Sequence, residues 1–309
     1  MAINITTAYS GEVLEQLLVR ATTANELVDG GHIRVQPDVQ KKFHIPRLQV
    51  ARVLQKRVEQ PDSSNSKGEF KITEKVLGPK DFMAYTEFNP RSFEQFWQPW
   101  QPEGPLVFRE LPPEAQNAFL SEMAKVVNFE LGDLFINGKY GSGDTELFDG
   151  ILTRIVADTA VKKVGTAGTP IVEANILEQL KMTRAAINKP LRKKANLKIF
   201  MSYEDADIYD YVLTEKPFKG VDYTSMNPER YKGIPIARLA DWPKDVIVAA
   251  IASPGMDSNF WAGVDYSDDG EIIEINKVTN AGELYFFKML MKADTNIVFG
   301  EDIVLLDNR

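Results

Sequence analysis

Three features of the sequence predict an α+β fold. Two long extended segments lie on either side of a polar tip. One long stretch carries apolar side chains at helical spacing. In a later region strands alternate with helices before the chain closes on strands.

Composition sets the frame for these elements. With 44% apolar and 26% charged residues the chain has the balance of an ordinary soluble globular protein, and 309 residues suffice for one large domain or two smaller ones. The start, MAINITTAYSGEVLEQLL, has no basic segment ahead of an apolar core, so no secretory signal is expected. No apolar run approaches the roughly 18 residues of a bilayer span, and no membrane partner is expected. The absence of cysteine removes disulfides, thiolate nucleophiles and thiolate metal ligands, and fits synthesis in a reducing cytoplasm. Only His32 and His44 are available for a histidine-centred triad or zinc site, and a net charge of -8 opposes electrostatic coating of nucleic acid.

The first element is a short amphipathic helix over 12–21, where Val13, Leu14, Leu17 and Leu18 share a face, and Gly30-Gly31 breaks the chain after it. From Val39 to Glu59 the chain reads as extended and basic, with Lys41, Lys42, Arg47, Arg52, Lys56 and Arg57. A nucleic-acid patch would need aromatic side chains among these cations, so a strand face meeting an acidic neighbour is the better reading. Pro61 to Gly68 is turn chemistry without a large apolar side chain, hence a loop tip. Phe70 to Leu77 and Phe82 to Phe88 return as a second extended segment, and the two segments make a long β-hairpin. A two-stranded ribbon of this kind is marginal alone and needs another surface to pack on.

Phe93, Phe96, Trp97 and Trp100 form an aromatic elbow. Leu111-Pro112-Pro113-Glu114 opens a helix whose apolar residues continue through Phe135 and which ends near Asn137-Gly138. The glycine-rich loop from Gly138 to Asp144 follows a helix and lacks the Walker order, so it reads as a connection and not as a phosphate cradle. Thr169-Pro170 is expected to begin a helix that stops before Pro190. Leu197 to Met201 is a buried strand, and Ser202-Tyr203-Glu204-Asp205 a capping-box-like start to the next helix. Gly233 to Ala237, Val246 to Ile251 and Phe260 to Val264 read as strands. Asp268-Asp269-Gly270 is a hairpin turn into Glu271 to Val278, and two final strands are expected over 283–292 and 296–306.

No constellation joins a nucleophile, a base and an orienting group. Adjacent acids on an extended segment point to opposite faces, which disfavours Asp268-Asp269 and Glu301-Asp302 as acid-base couples. Arg192-Lys193-Lys194 could bind phosphate, but a solvated cluster complementing a helix C-terminus is simpler. No cofactor, metal or catalytic residue is expected.

The order of arm, hairpin, long helix, α/β region and closing strands, together with particular phrases, resembles the Hong Kong 97-type major capsid proteins of tailed bacteriophages. These phrases are LFDGIL from Leu147, LKIFMSYEDADIYDYVL from Leu197, KGIPIARL from Lys232, SNFWAGVD from Ser258 and ELYFFKMLMKADTNIVFGEDIVLL from Glu283. The resemblance implies an N-terminal arm (1–44), an extended loop (45–90), a peripheral domain with a spine helix (91–146), an axial domain (147–265) and C-terminal strands returning to the peripheral domain (266–309). It also implies a non-enzymatic subunit that self-assembles into hexamers and pentamers of an icosahedral head around double-stranded DNA. Its partners would be copies of itself, a portal protein, separate scaffold and decoration proteins, and packaged DNA contacted weakly. Its place would be the virion, after synthesis in the host cytoplasm. Many members carry a long N-terminal scaffolding segment. Here the arm begins almost at Met1, which implies a separate scaffold or unaided assembly. The assembly-interface candidates are Arg47, Arg52, Lys56 and Arg57 on the basic strand and Lys67 and Gly68 at the tip. Two other readings use the same elements: an encapsulin-like cargo shell, and, in a different class, a soluble α/β enzyme using carboxylates with the hairpin as lid or dimer arm.

Overall fold

The computed structural model describes residues 7–8, 26–50, 53–57, 59–60, 62–68, 70–89, 113–215, 229–265, 273–279 and 284–309. The expected helix over 12–21, the aromatic elbow and the Asp268-Asp269-Gly270 turn lie outside these residues. The elements, in chain order, are β1 (Thr7–Ala8), α1 (Glu26–Asp29), β2 (Arg34–Gln36), β3 (Phe43–Val50), β4 (Phe70–Leu77), β5 (Lys80–Phe88), α2 (Pro113–Asn137) and α3 (Ile151–Ala157). Then follow β6 (Lys162–Val164), α4 (Ile176–Ala186), β7 (Leu197–Ser202), α5 (Tyr203–Glu215), β8 (Arg230–Tyr231), β9 (Ile234–Leu239) and β10 (Val246–Ile251). The chain ends on β11 (Phe260–Asp265), β12 (Ile273–Lys277), β13 (Tyr285–Ile297) and β14 (Val304–Asp307).

One sheet is built around β13, with β5 along one edge and β12 and β11 end to end along the other; β1 and β2 extend it. Alternation along β13 buries Tyr285, Phe287, Met289, Met291 and Ala293 against a core shared with Leu120, Val127, Leu131 and Phe135 of α2. The long helix therefore lies across the inner face of this sheet. The second sheet has the order β6-β14-β10-β7-β9-β8. Its central strand β10, VIVAAI, is buried at every position. Val246, Val248 and Ala250 face the first core, whereas Ile247, Ala249 and Ile251 face α4 and α5 in a second core. A strand covered on both faces must be a continuous apolar run, and this one is.

The turn from α2 to α3 accounts for the phrase LFDGIL. A Cβ on Gly138 would lie 2.4 Å from the Leu134 carbonyl oxygen, and one on Gly150 2.6 Å from the Gly138 nitrogen, so the two backbones can touch only as glycines. Gly150 N–H donates to the Gly138 carbonyl at 2.8 Å, and Phe148 fills the space between Phe135 and Phe82. Residues 138–146 close on themselves through Gly141 and Glu146.

Four expectations need adjustment. The return segment of the hairpin divides at Gly78-Pro79: β4 pairs with β3, but β5 pairs with β13. The helix expected from Thr169-Pro170 begins only at Ile176, because Asn175 holds a turn by accepting from Val172 N–H and donating to the Pro170 carbonyl, both at 2.9 Å. The expected strands over 283–292 and 296–306 are redistributed into one 13-residue strand, β13, and the separate β14. Finally, β14 pairs with β10 and β6 of the second sheet, so the strands of 266–309 are shared between both sheets. The expected start of α5 holds, with Ser202 Oγ accepting from Asp205 N–H at 3.1 Å.

Candidate assembly interface

β3 and β4 pair antiparallel with Phe43 opposite Leu77, Arg47 opposite Thr73, Leu48 opposite Ile72 and Val50 opposite Phe70. Alternation then assigns Phe43, Ile45, Arg47, Thr73, Lys75 and Leu77 to one face and Leu48, Phe70, Ile72 and Val76 to the other.

The first face is clamped to the body. Leu77 and Ile45 are buried with Trp261 and Val298, and Phe43 stacks on the Trp261 ring with centroids 6.3 Å apart. Gly263 leaves room for Leu77, whose side chain lies 3.4 Å from where a Cβ would stand. The backbone at the root is held by Asn296, which donates to the Val76 carbonyl at 2.7 Å, and by the Asp294 carboxylate, which accepts from Gly78 N–H at 2.8 Å. Arg47 pairs with Glu301 while its guanidinium lies 4.8 Å from the centroid of the Phe299 ring. Lys75 Nζ donates to Asp158 at 3.0 Å.

Electrostatics act on the two ion pairs of this clamp in opposite directions. Burial pulls the Arg47 guanidinium below its ordinary value, opposed by Asp302 and Asp158. Burial would raise Asp158, but the Ala160 N–H and Lys75, with Arg47 nearby, bring it below its ordinary 3.8. A depressed folded-state value means that the Asp158 contribution is complete above pH 3.8 and is lost as pH falls further.

The second face points to solvent, with His44 and Glu74 paired at 2.8 Å beside an apolar stripe. Leu48 is 61% exposed, Phe70 67% and Ile72 70%, and Val76 is exposed as well. Val53 and Leu54, past the end of β3, are exposed too. At the tip Asp62 caps a short turn over Ser63–Asn65, and Gln55 Nε2 reaches across to the Asn65 carbonyl at 2.7 Å.

The candidate residues divide accordingly. Lys56, Arg57 and Lys67 are exposed and have no ion pair among the described residues, and Gly68 turns the chain at φ +94°. Arg52 lies outside the described residues. Arg47, expected to meet an acidic neighbour, instead faces inward onto Glu301 of its own chain, because its position has the parity of Ile45 and Leu77. Glu301, weighed above as half of an acid pair, is thereby accounted for. The apolar stripe of Leu48, Phe70 and Ile72 was missed, although the alternation was visible, because its residues come from two segments and align only once the register is known.

Arg47→Ala should lower stability by about 1–3 kcal/mol, since it leaves Glu301 and the Phe299 ring without their cation. Urea unfolding of the variant measures this. Midpoints unchanged at pH 7 would show that the pair contributes nothing.

No protein-family model and no curated protein matches the sequence. Solved structures do match it over nearly its whole length. The capsid protein of an empty GTA particle superposes with a TM-score of 0.59 at 14% identity, over 93% of this chain and 96% of that one. The procapsid protein of satellite phage P4 gives 0.57 at 11% identity, over 96% and 98%. The fold is that of the Hong Kong 97-type shell proteins. A virus-like particle from Pyrococcus furiosus also matches, with a TM-score of 0.52 at 11% identity over 96% and 98%.

Proposed function

We propose that this chain is the major capsid protein of a tailed bacteriophage, assembling into the hexamers and pentamers of an icosahedral head that encloses double-stranded DNA. The observation that carries this reading is the hairpin. One face is anchored to the body by named contacts, and the other presents Leu48, Phe70 and Ile72 to solvent. An apolar stripe at the end of a rigid arm is costly to a monomer and useful to a subunit that lies on its neighbour. We take the receiving surface to be a different part of the neighbouring copy, which makes the contact heterologous and lets it propagate around a ring. Copies of this chain are the principal partner; a portal protein, a scaffold and decoration proteins complete the particle. Among the described residues, no helix is long and apolar enough to cross a membrane, and no group of three His, Cys, Asp or Glu side chains could hold a metal.

The likeness to a virus-like particle from Pyrococcus furiosus favours a second reading, an encapsulin-like cargo shell. Expression of the chain, alone and with the proteins encoded beside it, followed by sedimentation and electron microscopy, tests both. Closed particles of megadalton mass are expected; a monomer or small oligomer under every condition would overturn both shell readings and favour the enzyme. The contents separate phage head from cargo shell: nuclease-protected DNA for the first, a packaged protein for the second.

A further inference from the structure

Six basic side chains converge on one cleft of the second sheet. Arg184 comes from the last turn of α4, Arg192, Lys193 and Lys194 from the turn that follows it, and Arg230 and Lys232 from the β8–β9 hairpin. The cleft has a volume of about 410 Å³, and its remaining wall is apolar or glycine, with no acidic residue. Among the described residues none of the six makes an ion pair, although Lys194 lies near enough to Asp302 and Asp257 to favour their ionised forms. Several cations elsewhere in the chain are matched, Arg47 with Glu301, Lys75 with Asp158, Arg154 with Asp294 and Arg309 with Asp307, and the unpaired Lys56, Arg57 and Lys67 stand on the exposed hairpin and not in a cleft.

Three details distinguish this cleft from a merely solvated cluster. Arg192 is fixed, because Nε donates to the Ile187 carbonyl at 3.2 Å and Nη2 to the Ala185 carbonyl at 3.0 Å, which holds its charge at the end of α4. Arg184 Nε is buried with no acceptor, a donor whose hydrogen bond is unmade. Lys232 adopts φ +46° in the two-residue turn Lys232-Gly233, a conformation that favours asparagine or glycine; a lysine there places a cation at a conformational cost. Like charges gathered on a concave wall raise the local potential and repel each other until an anion enters. A phosphate group supplies several acceptor oxygens and suits the guanidinium fork.

We propose that this cleft binds a phosphate-rich anion, a run of linked phosphates such as a free polyphosphate or the backbone of a nucleic acid. The site belongs to the single subunit and does not depend on the shell reading.

The full-length chain would be titrated with inorganic tripolyphosphate by calorimetry, and with a fluorescent single-stranded oligonucleotide by anisotropy. The double variant Arg230→Glu/Lys232→Glu changes two exposed residues of the cleft; Lys41→Glu/Lys42→Glu, also exposed and far along the chain, is the control. Tripolyphosphate binding weakened at least tenfold by the first pair and not by the second supports the site. If the oligonucleotide also binds and competes with tripolyphosphate, the backbone is a source of the ligand; if it does not, the ligand is a free polyphosphate. No binding of tripolyphosphate, equal binding by wild type and cleft variant, or binding of an acidic peptide in place of tripolyphosphate would overturn the proposal.

Discussion

Placing aspartate at Phe70 and Ile72 should abolish particle formation and leave a folded subunit. Both side chains are about two-thirds exposed, on the hairpin face opposite the clamp, so their removal deletes no contact with the body. Exposed positions of this kind usually change stability by less than about 0.5 kcal/mol. In an assembled shell the same atoms would be buried, at about 1.5–3 kcal/mol per side chain, and two carboxylates in that interface would add a desolvation cost. The combined loss, roughly 3 kcal/mol or more per contact, weakens association roughly a hundredfold or more at about 1.4 kcal/mol per factor of ten. A closed shell repeats the contact at every subunit, so the effect compounds. Sedimentation velocity should show the variant as free subunits or small oligomers with an unchanged circular dichroism spectrum. A wild-type yield of particles would remove the stripe from the interface.

What the sequence made legible was local, and what it concealed was partnership. Pro61 to Gly68 announces a turn by residue type alone, and the helix from Pro113 to Asn137 declares itself by spacing and by the glycine that ends it. The buried strand VIVAAI could be read because continuous apolarity leaves few alternatives. Phe82 to Phe88, by contrast, alternates in the same way whether it continues the hairpin or joins β13, since a period of two says which side chains share a face and not which strand lies beside them. The late start of α4 turned on Asn175 bonding to nearby backbone, and on Asp245, some seventy residues later, accepting from Ile171 N–H. The assembly candidates suffered from the same blindness. Charge drew attention to Arg47, yet its parity buries it, while the apolar stripe across two segments went unremarked. Arg192 and its neighbours looked like a solvated cluster until Arg230 and Lys232 were folded in beside them.

Trp261→Ala should be the most damaging single substitution in the body, and it should reach the hairpin as well. The indole is 1% exposed at the start of β11, with Phe43 stacked against it and the Arg34 guanidinium 4.9 Å from its centroid, while Nε1 donates to the Ser258 carbonyl at 2.9 Å. Leu77, Ile45 and Val298 complete its surroundings, so the ring is the floor on which the root of the hairpin stands. Truncation leaves a cavity that a paired strand cannot collapse to fill, and costs about 3–5 kcal/mol. Because the lost contacts are those that seat β3 and β4, the hairpin should detach before the rest unfolds. Two measurements separate the effects: urea unfolding should show the loss of stability, and limited proteolysis should show faster cleavage within 43–77 under conditions where the body stays folded. Trp261→Phe, which keeps an aromatic surface for Phe43, should retain most of the protection. A loss of less than about 1 kcal/mol, or hairpin cleavage at the wild-type rate, would show that the loop is seated by its polar contacts to Asp294, Asn296 and Glu301 and not by this ring.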